Sequence, residues 1–578
     1  MAVKKPVDYT YPVPSNYDKI QKLRAKTDFT MKPCQYIKED VRLRYYQVIG
    51  SVNMMLSLRM LLGDEPGLGK TIQTLVCYAY MRQADPSLKL LVVTTKSARR
   101  QWGDEVLKFL DGLGHHVIQQ DYKPKGMTRK ISGYEARKAQ YIEHKDTPIL
   151  VVGYHSIKED YEVLAETRGP KFMVAYDECQ EFKNEKTQAF MGASYISERA
   201  MRVYGLTATP IKNRLLEFYN IMKVLMPGLF PGVTKFKEIF CKQELQKIYL
   251  GKNKHKFVKN VVGYKNLDLF VKAMEPYFLA RPASLVSNEL PVLTSRKAVV
   301  EMSARQKKLY AEALSGIVYR KKVQQRFIEA RDAMNATSDP SEKVIAEYEK
   351  RLAKYEESLT EGALTNNKGA ALVYCQLVAN GGRWVDPEEE TWESPKEEEF
   401  RRLVTEEMPD NKIIVFTRFK TGIPILQDIL DKAGVKHCKV TGDESDKDRE
   451  EAKRKFQDPE DPHRIIFITA AGSAAINLQT ASILIFYDSP WSFGDLIQTL
   501  GRFRRIGSVH KNILAIHMVT EGTIDEQVLE LLGTKKELVD KVVGAFSQGA
   551  LEFDKEIDIG SEASDVAALF NKVFSTAA

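Results

Sequence analysis

Twice along this chain, short runs of branched apolar residues alternate with longer amphipathic stretches, and no other feature restricts the fold as much. Leu90-Leu91-Val92-Val93, Ile149-Leu150-Val151-Val152 and Phe172-Met173-Val174-Ala175-Tyr176 read as buried strands. Between the first two, Trp102, Val106, Phe109 and Leu110 fall at i, i+4, i+7 and i+8, one face of a helix. Strands of this kind separated by helices make a parallel sheet wrapped by helices. The pattern returns with Ile413-Ile414-Val415-Phe416, Ile465-Ile466-Phe467-Ile468 and Ile483-Leu484-Ile485-Phe486-Tyr487. The expected fold is therefore α/β, with two parallel-sheet lobes and helical insertions between them.

The remaining segments are assigned around these lobes. Residues 1–40, rich in Pro, Lys and Tyr without a clear period, read as an N-terminal arm, and 41–228 as the first lobe. Residues 229–300 form a basic, aromatic insertion and crossover carrying Lys252, Lys254, Lys256 and Lys259, which fit either a polyanion or an ordinary solvated face. Residues 301–408 read as a helical insertion, in which Val344, Tyr348, Leu352 and Tyr355 keep a helix stripe. Its acidic end, Asp386 to Glu407, reads as a solvated linker entering a helix. Residues 409–545 make the second lobe and 546–578 a tail.

Composition narrows the function classes. A chain of 578 residues, 43% hydrophobic, has room for three or four domains of about 150 residues, which excludes a single small binding module. The six cysteines are scattered without a C-x-x-C pair, so neither a zinc site nor a disulfide framework is expected. No run of about 18 apolar residues occurs, and Met-Ala-Val-Lys-Lys-Pro lacks the apolar stretch of a secretory signal, so neither a membrane nor export is expected. Against 77 acidic residues stand 86 Lys and Arg, a formal charge of +9 that is compatible with a polyanionic partner.

Chemistry concentrates at three places. Met60-Leu61-Leu62 leads into Gly67-Leu68-Gly69-Lys70-Thr71 and then a helix through Thr74, Leu75 and Tyr78. A strand, a glycine loop and a helix N-terminus in that order present backbone N–H groups to phosphate. Gly67 and Gly69 admit close approach, Lys70 would reach the β- and γ-phosphates of ATP, and the Thr71 hydroxyl would hold magnesium. Asp64 takes the first glycine place of G-x-x-x-x-G-K-T. Asp177-Glu178 follows an apolar strand, at the end where ligands bind in open α/β sheets. Asp177 suits the magnesium shell and Glu178 suits orienting and deprotonating an attacking water. Finally, Gln498, Arg502 and Arg505 at i, i+4 and i+7 share one face of a predicted helix, which fits either a phosphate or a basic surface. A phosphate loop and acidic pair on one lobe with an arginine face on the other describe a nucleotide held between lobes.

From about residue 41 to 545 the chain resembles the Swi/Snf-type ATPases, the double-stranded DNA translocases of helicase superfamily two, in a compact prokaryotic or viral form. Leu43-Arg44-Tyr45-Tyr46-Gln47 resembles the adenine-reading segment, and Asp64-Glu65-Pro66-Gly67-Leu68-Gly69-Lys70-Thr71-Ile72-Gln73-Thr74 the first motif, D-E-x-G-L-G-K-T-x-Q. Gln101-Trp102 with Glu105 is similar to Q-W-x-x-E, and Asp177-Glu178-Cys179-Gln180 with Lys183-Asn184 to D-E-x-H followed by K-N. Thr207-Ala208-Thr209-Pro210-Ile211-Lys212-Asn213 resembles T-G-T-P-x-x-N. Gly472, Asn477-Leu478, Asp488 and Trp491 follow the fifth motif, and Gln498, Arg502 and Arg505-Ile506-Gly507 match Q-x-x-x-R-x-x-R-I-G. Gln180, Ala208 and Ser508 depart from the family's His, Gly and Gln.

The resemblance implies two RecA-like lobes that bind ATP and magnesium and move along DNA. It implies that Gln47 bonds adenine and that Gln180 and Gln498 act beside Glu178, Arg502 and Arg505. Thr207, Thr209, Gly472 and Asn477 would couple the nucleotide to the track. Thr95, Lys96, Lys183, Asn184, Thr417, Arg418, Thr441 and Trp491 would face it, mainly through phosphates; for Trp491 plain packing is the other reading. Double-stranded DNA is the expected partner, with single-stranded DNA or RNA as alternatives because Gly501-Arg502 also occurs in members that separate strands. A strand-separating helicase and an ATP-switched scaffold remain as alternative functions. The expected compartment is the cytoplasm of a prokaryotic or virus-infected cell, or the nucleus of a eukaryotic one.

Overall fold

The branched runs become the central strands of two parallel sheets. In the computed structural model the described residues are 9–26, 28–124, 127, 129–209, 215–251, 254–283, 289–336, 340–359, 368–386, 394–470, 478–505, 508–534, 536, 557–558 and 573. The chain divides into a unit of Met1–Leu290, Leu500–Ile506 and Lys536–Ser561 and a second unit of Pro291–Thr499, Gly507–Lys535 and Glu562–Ala578.

In the first unit the strands are β1 (Arg59–Leu62), β2 (Lys89–Thr94), β3 (His115–Val117), β4 (Ile149–Gly153), β5 (Phe172–Asp177), β6 (Arg202–Leu206), β7 (Cys241–Gly251), β8 (Lys254–Tyr264) and β9 (Phe278–Leu279). Seven of them form a sheet in the order β9-β1-β6-β5-β2-β4-β3, with every pair parallel. β4 is buried along its whole length, which is why its sequence carries no polar alternation. Leu91, Val93, Leu150, Val152, Val174 and Tyr176 from the sheet pack with Ile157, Phe182 and Phe218 from the covering helices. β7 and β8 pair antiparallel as a ribbon outside this sheet, with the short strand Ile557–Asp558 paired to the base of β8, and Asp121–Tyr122 pairs separately with Ile131–Ser132.

The arm departs from the sequence reading. It contains a helix, Tyr17–Arg24, whose Ile20 and Leu23 are buried. Tyr9 donates to the Leu229 carbonyl at 2.6 Å and lies edge-on to Phe240, while Tyr277 donates to the Pro12 carbonyl at 3.0 Å. An eight-residue helix with two inward apolar residues is too short for its period to be legible.

The second unit holds β10 (Val292–Val300), β11 (Ile413–Phe416), β12 (His437–Val440), β13 (Ile465–Ile468), β14 (Ile483–Phe486) and β15 (Asn512–Thr520), in the order β10-β15-β14-β11-β13-β12 and again all parallel. The stripe on the helix Glu342–Ser358 meets the helix Ile317–Asn335, with Phe327 stacked on Tyr355 at 4.9 Å. In the acidic segment Asp386 is exposed, residues 387–393 lie outside the described residues, and the expected helix follows. Lys396, in the helix Pro395–Arg402, is fully buried and ion-paired to Asp525 at 2.6 Å. Among the described residues no helix is long and apolar enough to cross a membrane.

Candidate active site

The glycine loop follows β1 at its carboxyl end and turns into the helix Lys70–Ala84. Gly67 and Gly69 take φ of +88° and +77°, a backbone region costly for a residue with a Cβ. At Gly69 a Cβ would also stand 2.7 Å from Gln47 Nε2. Gln47 is buried, accepts from the Arg44 amide at 3.0 Å and donates to the Leu68 carbonyl, so the predicted adenine reader lies against the loop. Lys70 donates its ammonium to the Asp64 carbonyl at 2.7 Å and the Glu65 carbonyl at 3.4 Å. Burial lowers its pKa, opposed by the nearby carboxylates of Glu178, Asp64 and Asp177. Thr71, next in the helix, is half-buried.

Asp64 has a structural place that its position in the motif did not disclose. Its carboxylate is fully buried and accepts from Arg281 Nε at 2.9 Å, Arg281 Nη2 at 2.5 Å and Gln73 Nε2 at 3.0 Å. Arg281, just beyond β9, was not singled out from sequence, because nothing in local spacing links it to a residue more than two hundred positions earlier.

Asp177 ends β5, two strands across the sheet from β1. Its Oδ2 accepts from the Thr94 hydroxyl and from Trp102 Nε1, each at 2.8 Å. Burial and the neighbouring Glu178 raise its pKa, and these two donors oppose the rise. Glu178 sits at φ 52°, ψ 51°, a left-handed conformation that costs a residue with a side chain roughly 1–2 kcal/mol. Gln180 Nε2 donates to Glu178 Oε2 at 2.7 Å, while Gln180 Oε1 is buried without a hydrogen-bond partner.

The segment Leu500–Ile506 belongs to the first unit. The helix Phe493–Phe503 ends before Arg505, so the three-residue helix face expected from spacing holds Gln498 and Arg502 only. Arg505 lies beyond it and donates from Nε to the Gly501 carbonyl at 2.8 Å. Burial lowers the pKa of Arg502 against the opposing pull of Glu178 and Asp177, and burial with Arg502 brings Arg505 down to about 9. Arg502 Nε is buried with no hydrogen-bond partner. Gly501 has a packing reason, since a Cβ there would fall 2.4 Å from Pro66 Cβ.

These residues fit a nucleoside triphosphate with a divalent cation. Two glycines leave room against the backbone, the half-buried Lys70 and Arg502, the latter with a buried unpartnered Nε, provide positive charge, and Thr71 and Asp177 bring the oxygen ligands magnesium prefers.

Of the coupling residues, Thr207 accepts from the Thr209 amide at 3.0 Å and Thr209 Oγ1 is buried without a partner. Pro210, Ile211, Lys212, Asn213, Gly472, Asn477, Ile506 and Gly507 lie outside the described residues. Among the expected track contacts of the first unit, Lys96 is exposed, Thr95 bonds Ser97 at 3.3 Å, Lys183 pairs with Glu217 at 2.9 Å, and Asn184 accepts from the Lys186 amide. In the second unit Thr417 is fully buried and donates to Asp488 at 2.7 Å, and Thr441 donates to Glu444 at 2.8 Å. Arg418 stacks over Trp491 at 3.7 Å, and Trp491 Nε1 donates to Gln376 at 3.3 Å. Trp491 is 9% exposed, so most of its surface is packed.

A family profile described as SNF2-related domain matches residues 46–360, and one described as helicase conserved C-terminal domain matches 395–507. The ISWI chromatin-remodeling complex ATPase ISW1 of Saccharomyces cerevisiae is 23% identical over 87% of this chain and 40% of its own. The DNA repair and recombination protein RAD54-like of Danio rerio is 23% identical over 84% of this chain and 63% of its own. The chain thus spans less than two thirds of either relative. The Sulfolobus solfataricus SWI2/SNF2 ATPase core in complex with dsDNA is 20% identical, covering 94% of this chain and 99% of that one with a TM-score of 0.38.

Proposed function

The chain belongs to the SNF2-related domain family, and on that premise we propose that it is a DNA-stimulated ATPase that translocates on double-stranded DNA and remodels DNA structures or protein–DNA complexes. The observation that carries the chemistry is the gathering of Lys70, Asp177, Glu178 and Arg502 around the carboxyl ends of β1 and β5. Lys70 and the amides of the glycine loop hold the β- and γ-phosphates, with Gln47 at the adenine. Thr71 and Asp177 would hold magnesium, which supplies charge neutralisation across the phosphates.

Glu178 takes the proton of the water that attacks the γ-phosphorus as the bond to the β–γ bridging oxygen breaks. Its left-handed backbone and the hydrogen bond from Gln180 fix where that carboxylate points. Arg502 brings its buried guanidinium to the charge that develops on the γ-phosphoryl oxygens, and Arg505 supports that positive field. Binding and loss of the γ-phosphate would then drive cycles of closure and opening, passed on by Thr207 and Thr209 and by Gly472 and Asn477.

Duplex DNA as the track rests on the family assignment and on the relatives named for chromatin remodelling and for DNA repair and recombination. ATPase rates measured in parallel with double-stranded DNA, single-stranded DNA and RNA test it. Stimulation should be greatest with the duplex, and the enzyme should evict the third strand of a DNA triplex while leaving a plain duplex paired. Equal stimulation by RNA, or separation of a blunt duplex without triplex displacement, would refute the duplex track.

A further inference from the structure

The antiparallel ribbon β7–β8 takes no part in the site above. Its base is anchored in the core of the first unit: Cys241, Val261 and Tyr264 are buried, and Lys265 donates its amide to the Phe240 carbonyl at 2.9 Å. Beyond the base its chemistry changes. From Cys241 to Tyr264 there are six lysines, Lys242, Lys247, Lys252, Lys254, Lys256 and Lys259, against one acid, Glu244. Leu245 opposes Lys259 in register, and Phe257 lies two residues from Lys259 on the same strand, so these three share one face. Leu245 is 67% exposed and Phe257 59% exposed, high for large apolar side chains in a folded unit.

Resting on the duplex-DNA reading of this enzyme, we propose that the ribbon is a second DNA contact, lying along a groove with its lysines on phosphates and Phe257 and Leu245 against the sugar edge. Three features favour DNA. The charge is complementary, six lysines to one acid from Cys241 to Tyr264. Strands of 11 residues extend roughly 35 Å, about one turn of duplex, and beyond Ile557–Asp558, which pairs only with Gly263 and Tyr264 at the base, the ribbon is two-stranded, a shape that fits the major groove. The ribbon also adjoins the expected track: Tyr264 OH accepts from the Leu215 amide at 3.1 Å, and two residues along that helix Glu217 pairs with Lys183. The ribbon adds grip on the track and leaves hydrolysis to the nucleotide site.

The test uses the full chain with Lys247, which opposes Phe257 in register, and Lys259 both changed to Ala, and Phe257→Ala separately, in fluorescence anisotropy with a labelled duplex between 50 and 200 mM salt. Each lost phosphate contact removes about 0.9 from the slope of log affinity against log salt. The double variant should therefore bind more weakly at low salt, with its deficit relative to wild type shrinking about 12-fold across that range. Phe257→Ala should weaken binding at every salt concentration and keep the wild-type slope. If the wild type binds duplex and both variants match it in affinity and slope, the ribbon proposal alone is overturned, which is also the result expected if an acidic protein surface occupies the ribbon. A wild-type enzyme that neither binds duplex nor responds to it overturns the DNA reading as a whole.

Discussion

Arg281 should be the residue whose loss most damages the first unit without touching nucleotide. Its guanidinium holds Asp64 through Nε and Nη2, donates to Gln73 Oε1 at 2.7 Å and to the Tyr46 carbonyl, and is 11% exposed beside a carboxylate that is fully buried. It thereby joins the glycine loop, the helix after it and the adenine segment. Arg281→Met keeps the stem and removes the charge, leaving the Asp64 carboxylate buried against the Gln73 amide. Breaking one partner from a buried ion pair costs about 3–5 kcal/mol, and the slight exposure of Arg281 places the expectation at the low end, about 3 kcal/mol. Because the chain has two units, a global melting curve would mix them.

Hydrogen exchange read by mass spectrometry on peptides covering β1, β2 and β4 isolates the first unit. The most protected amides there should lose roughly 150-fold in protection, the equivalent of about 3 kcal/mol. The double variant Asp64→Asn, Arg281→Met should cost less than the sum of the single changes, by about 1–3 kcal/mol, since it removes the orphaned charge. A loss below about fivefold in Arg281→Met, equivalent to about 1 kcal/mol, would refute the view that this ion pair holds the loop in place.

Other expectations concern turnover. Lys70→Ala should abolish nucleotide binding, whereas Glu178→Gln should bind ATP and lose turnover; equilibrium nucleotide binding beside steady-state rates separates the two. Neutralising Arg502 or Arg505 should lower kcat far more than it weakens ATP binding, and a fragment of residues 41–300 hydrolysing at the full DNA-stimulated rate would contradict that role. Burial and Glu178 raise the pKa of Asp177, so its metal-binding carboxylate form appears only as pH climbs above the ordinary aspartate range, and the acid limb of the rate profile should lie there. Thr94→Val removes a hydrogen bond that opposes this rise, so the limb should move to higher pH; an unmoved limb would show that another group titrates.

Much of the sheet architecture was readable because parallel strands buried on both faces must be apolar throughout. β2, β4, β5, β11, β13 and β14 each coincide with a branched run in the sequence. Two of the edge strands, β3 and β10, were not readable. His115-His116-Val117 is only partly buried, and β10 is largely exposed, so neither carries a continuous apolar signal. Net charge likewise records how many charged groups a stretch contains but not whether one of them is neutralised by a distant partner. Lys396 is buried because Asp525, 129 positions on, and Asn380 meet its ammonium at 2.6 and 3.2 Å.

The same division runs through the site. The placement of Gly67, Gly69, Lys70, Thr71 and Asp177 at strand ends and a helix start was legible because a strand, a turn and a helix adjacent in sequence obey local steric rules. What sets the state of those groups is not local. Thr94 and Trp102 reach Asp177 from a neighbouring strand's end and from a covering helix, and Arg281 reaches Asp64 from the far end of the first unit's sequence. Each is an ordinary residue by type, and only the order β9-β1-β6-β5-β2 brings them to one edge of the sheet. The left-handed Glu178 belongs in the same class: its sequence neighbours do not require φ 52°, so the strain must be held by tertiary contacts. The chemistry of the site is thus written in short motifs. Its electrostatic tuning comes from strand order, which is why substitutions at Thr94 and Arg281 test the fold's contribution to function more directly than changes in the motifs themselves.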